Sequence, residues 1–418
     1  MHSARRGSDL RFRGGGLPGA PKLMALLLPL GLLAPGAQAL EGEPFGFYVG
    51  GGLTYDNNLL RLPSNISPAQ TGVGDRPRGT WIGNGYVRAT TDLTPGRQRI
   101  RGYVQGNAFR YDDYSYLNWE GVDFGAAWLW QVGDRWNGNL SYDQLKFLSG
   151  FADLRAFVQN LRTAKITRAD AEYWLHPNWR LTGGYTRTVL ENSQAVIAET
   201  DLTEDAFGLG FKYITTERNY VVFGARYTDG DYPNRSQPSV IGDTSYKQYD
   251  AGVDVSWALG GNTDVLGRLA YTERKFPNLS QRDFAGPTGN IRVDWRWTVR
   301  TGVSAIVRRE IGGIEDVTAN YILTSAVRVA PYWLITERIR LEGFYEYLIR
   351  DYRGEPGVAI GLGPQREDKY NFLGLNATWT PTRNWQVGLG LVYSNRNSNV
   401  PANDFDDITA LATLRFGF

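Results

Sequence analysis

Trp385-Gln386-Val387-Gly388-Leu389-Gly390-Leu391-Val392-Tyr393 places a large apolar residue at every second position. Trp385, Val387, Leu389, Leu391 and Tyr393 share one face, and Gln386, Gly388, Gly390 and the following Ser394 share the other. A period of two is the mark of an extended strand whose two faces meet different surroundings. The pattern recurs upstream. In Ile339 to Tyr347, one face carries Ile339, Leu341, Gly343, Tyr345 and Tyr347, and the other carries Arg338, Arg340, Glu342 and Glu346. In Val265 to Tyr271, Val265, Gly267, Leu269 and Tyr271 oppose Arg268 and Thr272. Charges in the middle of a long strand need water or a partner on their side. A polar lumen supplies both, while the opposite, apolar face suits lipid.

Working outward, such runs alternate with two kinds of connection. Short ones include Thr94-Pro95-Gly96, Gly133-Asp134-Arg135, His176-Pro177-Asn178, Thr216-Glu217-Arg218-Asn219, Gly260-Gly261-Asn262 and Pro381-Thr382-Arg383-Asn384. These are rich in turn formers. The next run often opens on an aromatic, as at Trp136, Trp179, Tyr220 and Trp385, which suits a membrane-interface girdle. Longer connections are expected over 57–78, 148–160, 191–201, 230–245, 276–286, 351–367 and 396–404. Short turns on one side and long loops on the other predict an all-β, antiparallel up-and-down transmembrane barrel with periplasmic turns and extracellular loops. The count is about eighteen strands, with sixteen as the alternative. An even count puts both ends of the barrel at the periplasmic side. The last run alternates Ala410, Ala412, Leu414, Phe416 and Phe418 with Thr409, Leu411, Thr413, Arg415 and Gly417. A terminal Phe closing such a strand is the form of signal read by the outer-membrane assembly machinery.

The first 39 residues read as an export signal. Arg5, Arg6, Arg11, Arg13 and Lys22 precede an apolar run, Leu23 to Ala34, and Ala37-Gln38-Ala39 is a small-x-small cleavage site. That run is too short to span a bilayer, which takes about 20 residues. The barrel domain is then 40–418, and the expected location is a bacterial outer membrane. Mean hydropathy is −0.37, in keeping with a chain of which only alternate residues face lipid. A net charge of +2 gives no electrostatic case for nucleic acid. The lack of cysteine removes thiol nucleophiles and thiolate metal sites.

Few groups suited to catalysis remain. Beyond the signal the one histidine is His176, in a short turn, away from any nucleophile it could activate and too solitary for zinc. Asp112-Asp113, Glu367-Asp368 and Asp406-Asp407 are adjacent pairs, which point to opposite faces of a strand and do not converge. Gly50-Gly51-Gly52 lacks the Lys and helix of a phosphate loop. The residues of interest are the lumen-lining candidates Arg101, Tyr103, Gln105, Arg268, Arg338, Arg340, Glu342, Phe344 and Glu346. Mixed charge beside aromatic faces could guide a sugar polymer, or could simply brace the barrel. No cofactor, metal or catalytic residue is expected.

Several motifs resemble a family of β-barrel porins from exopolysaccharide gene clusters, the EpsL-like proteins. Thr54-Tyr55-Asp56-Asn57-Asn58, then Arg61, is similar to that family's first strand end. Thr380-Pro381-Thr382-Arg383-Asn384-Trp385-Gln386 resembles its recurrent turn, and Tyr393-Ser394-Asn395-Arg396-Asn397-Ser398 its penultimate strand end. The Tyr-Asp pair that usually follows reads Phe405-Asp406 here. The resemblance implies a non-enzymatic barrel that assists export or surface assembly of an exopolysaccharide together with periplasmic export components. A general or substrate-selective diffusion porin is the alternative, and a barrel hydrolase or lyase a third. Outer-membrane lipid and lipopolysaccharide are the expected surroundings.

Overall fold

The computed structural model describes residues 44–152, 157–235, 243–278, 280, 283–312, 321–353 and 366–418. The export segment read over 1–39 lies outside them. Eighteen strands follow in order: β1 (Phe45–Asp56), β2 (Thr80–Leu93), β3 (Arg99–Tyr111), β4 (Trp119–Val132), β5 (Trp136–Leu148) and β6 (Leu161–His176). Next come β7 (Trp179–Asn192), β8 (Leu202–Ile214), β9 (Tyr220–Asp231), β10 (Ser245–Leu259), β11 (Thr263–Lys275) and β12 (Phe284–Arg296). The last six are β13 (Thr301–Gly312), β14 (Tyr321–Leu334), β15 (Ile339–Arg353), β16 (Glu367–Trp379), β17 (Trp385–Ser398) and β18 (Phe405–Gly417). Each pairs antiparallel with its sequence neighbours, and β1 pairs with β18 from Tyr48↔Gly417 to Asp56↔Thr409. The sheet therefore has no free edge, the condition for backbone polar groups to cross lipid.

Side-chain alternation sets the two surfaces. Partners in register share a face, so Val49↔Val87 and Tyr55↔Trp81 on β1–β2 mark the outside, while Thr54↔Ile82 and Asp56↔Thr80 mark the inside. Followed around the ring, the outer face carries Val87, Val104, Leu209, Leu269, Val307, Leu373 and Leu389, all well exposed. Two aromatic belts bound this band. Trp136, Trp295, Trp333, Trp379 and Trp385 stand at the short-turn end; Tyr55, Tyr249, Tyr271, Tyr345 and Tyr393 stand toward the long loops. Trp385 and Tyr393 lie eight positions apart on β17, about 27 Å along a tilted strand, commensurate with an apolar band about 25 Å tall.

Short connections of two to five residues join β2–β3, β4–β5 and so on to β16–β17, and longer ones join β1–β2, β3–β4 and the remaining pairs. Gly133 (φ 56°) and Gly260-Gly261 (φ 60° and 76°) make left-handed turns that a side chain would resist. Two turns had no such signal. Residues 297–300 and 335–338 contain no Gly, Pro, Asn or Asp. Threonine hydroxyls build them instead: Thr298 Oγ1 accepts from the N–H of Arg300 and Thr301 at 3.1 and 3.0 Å, and Thr336 Oγ1 from Arg338 and Ile339 at 3.1 and 3.0 Å. The β3–β4 and β13–β14 connections were likewise absent from the expected long loops.

The apolar cores lie at the long-loop mouth, not mid-barrel. One packs Leu59, Leu60 and Leu62 of the β1–β2 loop and Tyr114, Leu117 and Phe151 onto Ile82, Tyr111 and Trp119. A second joins Tyr232, Tyr246, Phe276, Phe284, Tyr321 and Leu323 on the far side of the ring, and two smaller ones are built on Tyr370 and Phe405 and on Ile322 and Tyr352.

Candidate functional site: the barrel interior and its mouth

The inner wall is densely charged, and register decides which charges meet. On β2–β4, Arg88 lies over the Tyr103 ring at 4.2 Å and donates to Gln105 Oε1 at 3.1 Å. Gln105 donates to Asn107, which donates to Asp123. Arg99 and Arg101 both reach Asp92, at 2.6 and 3.3 Å. On β6–β8, Glu172 receives Lys212 at 2.6 Å and Arg180 at 2.9 Å, and Arg180 stacks on Trp174. On β13–β15, Glu346, 2% exposed, receives Arg308 and, at 3.3 Å, Arg328, whose guanidinium lies 4.0 Å from the Phe344 ring centre. Arg340 pairs with Glu342 at 2.6 Å.

Of the residues singled out from sequence, Arg101, Tyr103, Gln105, Arg268, Arg340, Glu342, Phe344 and Glu346 fall on this inward register. They do not form one site. They sit on three arcs of the ring, each with its own partners. Arg338 is placed elsewhere: β15 begins at Ile339, so Arg338 belongs to the preceding turn, where Nη1 donates to the Pro381 carbonyl at 2.9 Å. Phe418 follows β18, its N–H donating to Phe47 O at 2.8 Å and its ring edge-on to Phe416. His176 Nδ1 accepts the Asn178 N–H at 3.3 Å within its turn.

The mouth explains the first-strand motif. Arg61, in the left-handed region at φ 54°, turns its guanidinium back onto Asp56 with two bonds of 2.8 and 2.9 Å and reaches Asp407 Oδ1 at 3.1 Å. Asn58 Nδ2 donates to Leu62 O and Asp406 O, and Asn57 Oδ1 accepts from Ile408 N. Burial acts to lower the Arg61 pKa, yet the Asp56 and Asp407 carboxylates together hold it above the usual arginine value. The motif therefore clamps the β1–β2 loop across the β1–β18 seam. The β5–β6 loop also crosses the mouth: Arg396 on β17 donates to Ala152 O at 2.5 Å and to Tyr370 Oη at 3.1 Å.

A second inner arc differs. Mid-height on β7–β10, the wall is stripped to Gly184, Ala206, Gly208, Gly224 and Gly252, leaving a recess edged by Asp170, Thr186, Arg226, Asp254 and Arg268. Arg226 donates no hydrogen bond and enters no ion pair among the described residues. Its register partner Asp250 is already bonded, to Thr272 at 2.5 Å and Gln248 at 2.9 Å. Asp254 is 5% exposed, and its Oδ1 accepts no hydrogen bond; Arg268 Nε stands 4.0 Å away. Sequence reasoning picked Arg268 but missed Arg226, Asp170 and Asp254. Alternation holds the signal for two of them, in Val221-x-Phe223-x-Ala225-Arg226-Tyr227 and Val253-Asp254-Val255.

The chain has the fold of an outer-membrane β-barrel. Residues 247–418, nearly all of β10–β18, match the family model described as "Putative beta-barrel porin 2". Among solved structures, it is similar to Pseudomonas aeruginosa OccK2 (OpdF), with 10% identity and TM-score 0.52 over 91% of this chain and 100% of that one. OccK2 in complex with glucuronate (11%, TM-score 0.50, 91% and 100%) and OccK9 (OpdG) of the same organism (11%, 0.50, 90% and 98%) are comparable. At such identities the likeness concerns the fold. No curated protein sequence matches.

Proposed function

We propose that the protein is a substrate-selective diffusion porin for small polar solutes. The observation that carries this is the inner wall: an eighteen-stranded ring encloses a wide interior, and its inward face holds charged groups of both signs with one arc cleared of side chains. The porin family match over the last nine strands supports the same reading. Loops packed over the mouth from two sides favour small solutes over a polymer thread, so passage of solutes ranks above the exopolysaccharide export that the family resemblance implied. The proposal keeps the outer membrane as the location, with lipid against the apolar band and lipopolysaccharide against the tyrosine belt, and takes Phe418 as the signal read by the assembly machinery.

Purified, folded protein in planar bilayers tests it. Discrete conductance steps, reduced by millimolar glucuronate, a solute held by one similar barrel, are expected. A folded barrel that inserts and conducts nothing would rule the reading out. Loss of surface polysaccharide in a deletion strain, with solute uptake intact, would restore export.

A further inference from the structure

We propose that the recess on β7–β10 is a binding subsite for a small hydroxylated carboxylate; this rests on the porin reading and deepens it. The recess is built by register. Asp170, Gly184, Gly208 and Arg226 are successive ladder partners, so one row across four strands carries no Cβ at its centre and a charge at each end. The neighbouring row runs through Gly210, Gly224 and Gly252. Packing there is already close: a Cβ at Gly252 would lie 2.3 Å from Leu269 O. The floor is backbone, and the functional groups stand at its rim.

Those groups are under-used in a way that specifies a ligand. The Arg226 guanidinium makes no hydrogen bond among the described residues, and each oxygen of Asp250, the acid facing it, already accepts one, from Thr272 and Gln248. Arg268 contributes a second guanidinium, engaged only at 4.0 Å. Two such cations at one rim match the fork of a carboxylate, for which bidentate N–H···O pairing is the strong mode. Asp254 offers the complement. A buried carboxylate oxygen without a donor is costly to leave unmade, and a ligand hydroxyl would supply the proton it lacks. Asp170 lines the opposite side of the recess and, although Asn139 already donates to it, keeps acceptor capacity for a second hydroxyl. A carboxylate flanked by hydroxyls, as in a sugar acid, satisfies both sets; a neutral sugar leaves the guanidinium ions unmet, and a simple fatty acid leaves the acids unmet.

The test is equilibrium dialysis of the full-chain barrel, folded in detergent, against labelled glucuronate, glucose and hexanoate, with bilayer conductance recorded on the same preparations. The wild type is expected to bind glucuronate saturably and at least about tenfold more tightly than either comparison solute. Arg226→Gln should weaken glucuronate binding at least about tenfold with native electrophoretic mobility retained, and Arg226→Lys should recover part of it. Should Arg226→Gln fail to fold, Arg268→Gln carries the same expectation. Equal binding of glucose, absence of saturable glucuronate binding, or unchanged affinity in the folded glutamine variant would overturn the subsite. Glucuronate binding without conductance would leave the subsite standing and remove the porin reading; conductance without glucuronate binding would do the reverse.

Discussion

Two arcs of one inner wall solve the problem of charge inside a barrel in opposite ways. On β13–β15, Glu346 is almost fully enclosed and takes a guanidinium from each side, Arg308 and Arg328, the latter also resting on Phe344. On β7–β11, the guanidinium of Arg226 stands over a glycine floor with its neighbouring acid committed elsewhere. The first arc is closed chemistry: every strong group has a partner, and the cluster ties three strands together. The second keeps its strong groups available and gives up packing to do so. The difference teaches that charge alone does not mark a functional wall. Availability does, and availability depends on which side chains the register places opposite one another.

The largest effect should come from breaking the closed arc. Glu346→Ala leaves Arg308 and Arg328 facing each other with no anion, and removing one partner of a buried pair costs about 3–5 kcal/mol. A urea titration of the folded barrel, followed by the heat-modifiable band shift, should show that loss. A variant as stable as the wild type would mean that the cluster is solvated like the open arc. Next comes the seam. Arg61→Ala strands Asp56 and Asp407 together at the β1–β18 closure, with an expected cost of about 3 kcal/mol. Proteolysis should then cut first within the β1–β2 loop. A cut elsewhere would show that the clamp does not hold the loop.

The sequence carried the barrel well. Period-two alternation in Trp385–Tyr393 and the turn residues near Gly133 and Gly260 were enough for the architecture and the alternation of short and long connections, and the reading of about eighteen strands agrees with the eighteen observed although four connections were not read. It carried the two-arc contrast poorly. Arg226 and Glu346 look alike in a strand pattern, because each is an inward charge between outward apolar residues. What separates them is the partner strand's register, set by loop lengths and turn geometry that a single sequence does not display. The Asp56–Arg61 motif was visible as a pattern, but its partner Asp407 lies almost the whole chain away. The threonine turns were legible and were missed: Thr298-Val299-Arg300 and Thr336-Glu337-Arg338 repeat one form without any conventional turn former. Thr336→Ala removes the acceptor of two backbone bonds and should cost about 1 kcal/mol, measured in the same titration. No change would mean that the flanking strands alone set that turn.

The smallest effect should fall on the open arc, and it sharpens the comparison most. Arg226→Gln removes a guanidinium that makes no bond to lose. Stability should stay within about 0.5 kcal/mol of the wild type, as for substitutions away from packed or paired features. The contrast with Glu346→Ala is then a contrast between an enclosed, paired inward charge and a partly buried inward charge without a hydrogen-bonded partner in the same wall. If Arg226→Gln instead destabilised the barrel by several kcal/mol, the guanidinium would be bracing the recess through Asp250 or Asp254, and the arc would be closed after all. If it left stability untouched while changing the cation-to-anion selectivity of the channel, the charge would belong to whatever passes through the wall's interior and not to the wall.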